Sequence, residues 1–129
     1  DLSYEDVFVE QLKIVMREGD VVVCISSSGN SPNLVKAAAW ARAHGATLVG
    51  LLGFGGGRLA GMMDVALVVS SRNYGITEDF HVAVQHIYTQ YLRRALAGPA
   101  RRVAFLDRDG IINERAAEHA YVERWDDFR

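Results

Sequence analysis

Four short apolar runs along the chain predict the strands of a sheet. They cover residues 21–25, 47–52, 65–69 and 103–106 and are rich in Val, Leu and Ile. Runs of this length without polar alternation are typical of strands buried on both faces, as in a parallel sheet.

Between these runs, apolar residues recur at helical spacing. They predict helices over residues 4–17, 33–44 and 77–96, and a short helix over residues 58–63. Alternating strands and helices joined by short loops predict an α/β fold with three layers, α/β/α, around a parallel sheet. In the longest helix, apolar residues that fall within about 80° of one another are expected to face the core; they are Phe80, Val84, Ile87, Tyr91 and Ala95.

A hydroxyl-rich loop follows the first predicted strand and leads directly into a helix. It contains Ser26, Ser27, Ser28 and Ser31. Backbone N–H groups, hydroxyls and the partial positive charge of a helix N-terminus together favour an anion. We expect this loop to hold a phosphate group carried by a sugar. The alternative is that the serines only cap the helix, although four serines are more than one cap requires.

Composition and charge narrow the classes of protein that fit this pattern. A length of 129 residues suits one domain rather than two complete enzyme domains. The formal net charge of -2 gives no sign of a nucleic-acid partner. Cys24 is the only cysteine, as expected in the reducing cytoplasm. No apolar run approaches the roughly 18 residues of a membrane span. The chain has neither a signal-peptide pattern nor an initiator methionine, so we expect it to begin inside a longer protein.

The glycine cluster at residues 53–57 does not have the spacing of a dinucleotide-binding loop. That fingerprint requires a third glycine three places after the second, where Arg58 stands. We therefore expect no nicotinamide or flavin cofactor. A mobile loop that needs positive φ angles is the expected use of these glycines.

Up to Gly98 the sequence resembles the sugar isomerase (SIS) domain family, and within it the phosphoheptose isomerases. The similar segments are Arg17 to Val21, Ile25 to Ser31 and Gly55 to Gly61, together with His81 and His86. The resemblance implies a flavodoxin-like sheet and covers only the second half of a typical SIS domain. The missing first half carries a catalytic glutamate and a histidine in that family. An incomplete sheet of this kind is expected to expose apolar surface and to associate or be marginally stable.

The resemblance also implies roles for individual residues. The serines matching Ser26, Ser27, Ser28 and Ser31 hold the substrate phosphate in the family. The histidine matching His86 acts in acid–base isomerisation and, in metal-bearing members, binds zinc. Glu78 stands where the family has a glutamine, and a carboxylate there is able to bind zinc through oxygen. The alternative for His86 is a solvated histidine on the flank of the helix, and His81 is expected to be structural or interfacial.

The substrate implied by the resemblance is a phosphorylated sugar. Isomerisation of sedoheptulose 7-phosphate to an aldose heptose 7-phosphate, a step in making lipopolysaccharide heptose precursors, moves a proton between adjacent carbons through an enediol. That reaction needs a base, an acid and a fixed phosphate. Family members form tetramers with sites at their interfaces, so a homo-oligomer is implied.

From Arg102 onward the sequence resembles the start of a haloacid-dehalogenase-type (HAD) phosphatase, closest to heptose bisphosphate and histidinol phosphate phosphatases. The similar residues run from Val103 to Glu114. The resemblance makes Asp107 the nucleophile toward phosphorus and Asp109 the acid for the leaving oxygen, with magnesium offsetting their charge. The alternative is an acidic turn after a strand. Later motifs of that family are missing from these residues, so we expect that this segment is not a working phosphatase by itself.

These patterns together predict three segments. Residues 1–98 form the C-terminal part of a SIS domain, 99–102 a linker, and 103–129 the truncated start of a HAD-like Rossmannoid domain. We expect the chain to be an internal fragment of a bifunctional isomerase and phosphatase that is inactive alone. Two alternatives remain open, namely a non-catalytic SIS module that senses a phosphosugar or serves as an adaptor, and an isomerase or deacetylating enzyme for amino-sugar phosphates.

Overall fold

The computed structural model describes residues 3–96, 103–107 and 110–113. A short 3-10 helix, Tyr4–Asp6, leads into the first α-helix. The helices are α1 (Val7–Val15), α2 (Pro32–Ala43), α3 (Gly57–Ala60) and α4 (Tyr74–Ala95). The strands are β1 (Val21–Ser26), β2 (Thr47–Leu52), β3 (Val65–Val68), β4 (Val103–Asp107) and β5 (Gly110–Asn113).

The described strands form one sheet in the order β3-β2-β1-β4-β5. β1 pairs in parallel with β2 on one side and with β4 on the other. β2 pairs in parallel with β3, whereas β5 runs antiparallel to β4. The hydroxyl-rich loop at residues 26–31, which we call the serine loop, therefore follows the carboxyl end of a central strand. Ligands bind at this end of the strands in open α/β sheets.

One face of the sheet is covered by α1 and α2. Their buried side chains form a single cluster with apolar residues of β1 and β2; its members include Phe8, Leu12, Leu34, Ala37 and Ala41 from the helices and Val22, Cys24, Leu48 and Leu52 from the strands. The alanines of α2 allow that helix to approach the sheet closely, because a methyl group is the smallest side chain that still contributes apolar area.

The other face of the sheet is covered by α4. Val84 packs there with Val23, Ile25 and Leu51. With helices on both faces, the described part of the chain has the predicted three-layer α/β/α architecture.

The predicted core-facing side of α4 is wrong except for Val84. The helix instead buries Thr77, His81 and Val84. Phe80, Ile87 and Tyr91 are 46%, 69% and 67% exposed, and Ala95 is exposed as well. Periodicity shows that a helix has an apolar side but not which surface covers that side. In α4, a mixed polar and apolar side faces the sheet.

The strand predicted at residues 103–106 is present as β4, and it lies in the same sheet as β1. Val21 to Cys24 pair with Val103 to Leu106, so β1 is not an edge of the sheet. Apolar exposure appears instead at β3, where Val65, Leu67 and Val68 are 57%, 37% and 38% exposed. The linker at 99–102 lies outside the described residues, and the domain boundaries stay a prediction.

Candidate functional site

The serine loop begins with a buried turn at the end of β1. Ser26 is 4% exposed, and its Oγ accepts a hydrogen bond of 3.0 Å from the backbone N–H of Gly29. Gly29 has a φ of 66°, in the left-handed region that a residue with a Cβ rarely adopts. The hydroxyl of Ser26 thus helps to fold the loop back on itself.

Asn30 stabilises the middle of the loop. Its backbone N–H donates to Ser28 Oγ at 3.3 Å, and its side-chain Nδ2 donates to the carbonyl of Ser28 at 3.0 Å. The sequence prediction did not assign a separate role to Asn30. Its position directly after a glycine in a turn was the available signal, because Asn often hydrogen-bonds to nearby backbone.

The last serine of the loop precedes α2 without capping it. Ser31 is the N-cap residue, yet its side chain accepts no capping hydrogen bond, and Pro32 occupies the first turn. The hydroxyls of Ser27 and Ser31 have no hydrogen-bond partner within the described residues and are only partly buried. For Ser31, helix capping is therefore not the explanation, and two hydroxyls remain available at the positive end of a helix.

A second loop, which we call the glycine loop (residues 53–57), packs against the serine loop. Phe54, Gly55, Gly56 and Gly57 all have positive φ angles, of 51°, 86°, 86° and 53°. A Cβ on Gly29 would lie 2.0 Å from the carbonyl oxygen of Gly56, so the two backbones touch. The positive φ angles expected of these glycines are confirmed, whereas the mobility expected of the loop stays a prediction. The contact shows that the glycine loop lies directly against the serine loop.

Helix α3 continues this contact with two hydrogen bonds. The N–H of Arg58 donates to Asn30 Oδ1 at 2.9 Å, and the N–H of Leu59 donates to the carbonyl of Gly29 at 2.9 Å. Leu59 is fully buried. The serine loop is thereby held in one conformation by the core beneath it.

The first turn of α4 contacts the base of the same loop. Asn73 caps this helix by accepting a hydrogen bond of 3.2 Å from the N–H of Ile76. Thr77 is fully buried, and a Cβ on Gly53 would lie 2.4 Å from its Cγ2 and 2.7 Å from the carbonyl oxygen of Ser27. Gly53 thus leaves room for α4 to lie against the end of β1.

Glu78 and His86 are both exposed on α4. Eight residues of helix separate them by about 12 Å along the axis. The described residues include no cluster of three His, Cys, Asp or Glu side chains able to hold a metal ion, and zinc sites use three or four protein ligands. Glu78 and His86 are thus at most part of a zinc site, and zinc stays a prediction.

His81 points into the protein rather than toward solvent. It is 2% exposed, and its Nε2 is buried without a hydrogen-bond partner among the described residues. This burial agrees with the expected structural position and separates His81 from the exposed His86.

The residues assigned to phosphatase chemistry fall at the limit of the described chain. Asp107 is the last residue of β4, and only its backbone is described. Asp109 lies outside the described residues. Their roles and that of magnesium stay predictions.

Two cations of α2 are occupied by ion pairs. Lys36 forms an ion pair with Asp6, and Arg42 binds Asp64 at 2.9 Å. Burial raises the pKa of the Cys24 thiol to about 12, so this thiol remains protonated and is not a nucleophile. No helix in the described part of the chain has the length and apolar character needed to cross a membrane.

The fold and the serine loop can be compared with those of known protein families. Residues 1–53 match the family model described as SIS domain, as the motifs predicted.

Curated proteins named phosphoheptose isomerase are similar to this chain. The phosphoheptose isomerase of Nitratidesulfovibrio vulgaris (strain Miyazaki F) is 42% identical over 90 residues, which are 70% of this chain and 43% of that protein. The enzyme of the same name from Trichlorobacter lovleyi is 38% identical over 98 residues, or 76% and 50% of the two chains. This chain spans about half the length of the curated relatives it matches.

Solved structures show the same similarity. The phosphoheptose isomerase GmhA from Neisseria gonorrhoeae matches with a TM-score of 0.63 and 33% identity, over 65% of this chain and 48% of that one. The phosphoheptose isomerase from Francisella tularensis matches with the same TM-score of 0.63 and 28% identity, over 65% of this chain and 46% of that one.

Proposed function

We propose that this chain is the phosphate-binding part of a sugar-phosphate isomerase that acts on sedoheptulose 7-phosphate. The proposal rests on the hydroxyls of Ser27 and Ser31, which have no hydrogen-bond partner within the described residues. These hydroxyls are not used by the fold, and they lie in a loop at the N-terminus of α2 that is hydrogen-bonded to α3. The similarity to phosphoheptose isomerases supports the choice of sugar.

The proposed chemistry is a proton transfer between two carbons of the bound sugar. A base removes the proton from C1 of the ketose, the enediol forms, and a proton returns to C2 to give the aldose. His86 is the proposed acid–base group, since it is exposed on α4, and Thr77 of α4 and the carbonyl of Ser27 both lie against Gly53. The second group required by this reaction is not assigned to any described residue.

The role of the serine loop is to fix the substrate while the proton moves. A phosphate held by hydroxyls and backbone N–H groups restrains the sugar at one end, which lowers the entropic cost of placing its carbons beside an acid–base group. The loop is suited to this because its backbone is held by the hydrogen bonds of Asn30 and Leu59.

We also propose that the protein forms homo-oligomers through α4. The exposed side of this helix carries Ile76, Phe80, Ile87 and Tyr91, of which Ile87 is 69% exposed. Apolar side chains that lie together on one side of a helix are typical of association surfaces. The oligomer and a cytoplasmic location are both part of this proposal.

One observation favours a second function. Glu78 stands where the resemblance to the SIS family implies a glutamine, and a SIS module that senses a phosphosugar without converting it would tolerate that change. In this case the serine loop binds the phosphate as before, and His86 has no part in chemistry.

Isomerisation in the full-length protein distinguishes the two functions. Sedoheptulose 7-phosphate is incubated with the wild type and with His86→Gln, and the aldose product is followed by NMR. Turnover that His86→Gln reduces by at least about a hundredfold is expected for general acid–base catalysis. Tight binding with no turnover in the wild type supports the sensing function, and preferential binding of glucosamine 6-phosphate contradicts the choice of sugar.

A further inference from the structure

Arg58 is placed beside the serine loop by the backbone of α3. Its N–H donates to Asn30 Oδ1 at 2.9 Å, and Asn30 in turn donates to the carbonyl of Ser28. The preceding residue, Gly57, is so close that a Cβ on it would lie 2.5 Å from that same carbonyl oxygen. The arginine side chain therefore starts from a backbone position that touches the loop.

The guanidinium of Arg58 is not used by the fold. The residue is exposed and has no ion-pair partner among the described residues. Lys36 and Arg42, the cations on the neighbouring helix α2, are by contrast paired with Asp6 and Asp64. A cation that is held beside an anion loop and is left without a carboxylate is available to a ligand.

The serine loop alone offers a phosphate only partial positive charges, so a nearby full positive charge would strengthen binding. Hydroxyl and backbone N–H groups supply partial charges, whereas a sugar phosphate near neutral pH carries one to two full negative charges. The planar guanidinium matches two phosphate oxygens at once, which an ammonium group does not.

We propose that Arg58 binds the phosphate held in the serine loop and that Asn30 is the positioning residue that fixes the start of its side chain. This inference rests on the proposed phosphate site and adds its charged ligand. It assigns a second function to α3, because the helix that is hydrogen-bonded to the serine loop also carries the cation.

The test uses the 129-residue chain and isothermal titration with sedoheptulose 7-phosphate. Arg58→Gln removes the charge and keeps a polar side chain. Arg58→Lys keeps the charge but lacks the planar guanidinium that binds two phosphate oxygens at once. Arg17→Gln is the matched control, since Arg17 is exposed and precedes β1, at the opposite end of that strand from the serine loop. Each titration is repeated at several salt concentrations.

We expect Arg58→Gln to weaken binding by about tenfold or more, as for the loss of a charge-assisted hydrogen bond. Its affinity should also depend less on salt than that of the wild type, since one charge contact is gone. Arg58→Lys should bind with intermediate affinity, and Arg17→Gln should match the wild type.

The outcomes separate this inference from the proposed function. Binding that Ser31→Ala removes while Arg58→Gln leaves affinity and salt dependence unchanged overturns the role of Arg58 and leaves the serine site intact. A wild-type chain that is folded by circular dichroism and binds no sugar phosphate overturns both. An equal loss of affinity in Arg17→Gln and Arg58→Gln also overturns the role of Arg58, because the effect is then one of net charge.

Discussion

Ser26 and Ser31 stand at opposite ends of the serine loop and make different contacts. Ser26 is buried, and its Oγ accepts the N–H of Gly29. Ser31 is the N-cap residue of α2 without a capping hydrogen bond. One hydroxyl is therefore needed to fold the loop, and the other is left for a ligand.

The Ser31→Ala variant tests this distinction. We expect its free energy of unfolding without ligand to match the wild type, because no hydrogen bond is lost, and its affinity for sugar phosphate to fall. Urea denaturation and a ligand titration measure the two effects. A loss of about 0.5–2 kcal/mol without ligand, the usual cost of removing a cap, together with unchanged affinity, would show that Ser31 is only a cap.

Gly29 is predicted to be among the least replaceable residues of the loop. Gly29→Ala places a Cβ 2.0 Å from the carbonyl oxygen of Gly56 at a φ of 66°, so both clash and backbone strain oppose it. Gly55→Ala is the control, since Gly55 has a φ of 86° and nothing within 4 Å of a Cβ. Strain alone costs about 1–3 kcal/mol.

Urea denaturation of both glycine variants should show Gly29→Ala to be the less stable, with its phosphate affinity lost as well. Gly55→Ala should lose stability through strain only and keep more of its affinity. Equal stability and equal affinity in the two variants would mean that the loops do not touch as described.

Among the elements, the strands and helices themselves were the most predictable from sequence. The apolar run at β2 was predicted with both ends correct, because a strand buried on both faces leaves an unbroken apolar segment. The side of α4 that faces the core was not predictable from the sequence. Thr77 and His81 are polar yet buried, and Thr77 lies against Gly53, a contact that no periodicity reveals.

The site shows the same division between local and distant information. The serines and glycines predicted the loop and its positive φ angles, since their conformational properties are local, whereas the binding of an anion stays a prediction. The contact between Asn30 and Arg58 was not predictable, because the Oδ1 of Asn30 accepts from a backbone N–H that is 28 residues away along the chain. Likewise, only the three-dimensional structure shows that Ser31 makes no capping hydrogen bond.

Asp64 connects α2 to the start of β3, and it makes the stability of this connection depend on pH. The N–H of Leu48, at 2.7 Å, and the guanidinium of Arg42 hold the pKa of its carboxyl below the ordinary value. The stabilisation is therefore present above the unfolded-state pKa, about 3.9, and is lost as pH falls through the lower folded-state value.

Thermal unfolding between about pH 2 and pH 6 measures this effect for the wild type and Asp64→Asn. The wild type should lose more stability than the variant as the pH falls. Asp6, whose pKa is lowered by its hydrogen bond to Lys36, contributes equally to both proteins. Parallel curves for the two proteins would show that Asp64 carries no such stabilisation.

For the molecule as a whole, the position of β4 beside β1 is the feature that sequence alone did not indicate. Phe105 pairs with Val23 in this ladder. Phe105→Pro removes a backbone donor and is expected to weaken β4, because proline is poorly tolerated inside a sheet. Hydrogen exchange of the β1 amides should become faster, and unchanged protection would contradict the pairing.

Association is also a property of the whole molecule. Ile87→Glu places a charge on the exposed apolar side of α4, where Ile87 is 69% exposed, and is expected to shift the chain toward monomer. Light scattering over a range of concentrations measures this shift, with Ile14→Glu on α1, where Ile14 is 82% exposed, as the control for one added negative charge. The same mass for all three proteins would place the association surface elsewhere.

The most direct test of the central claim is calorimetric titration of the 129-residue chain with sedoheptulose 7-phosphate, with neutral sedoheptulose as the matched ligand. If the serine loop holds the phosphate, the phosphorylated sugar binds, the neutral sugar does not, and Ser31→Ala loses most of the affinity. Equal binding of both sugars, or full affinity in Ser31→Ala, would contradict the assignment of the phosphate to this loop.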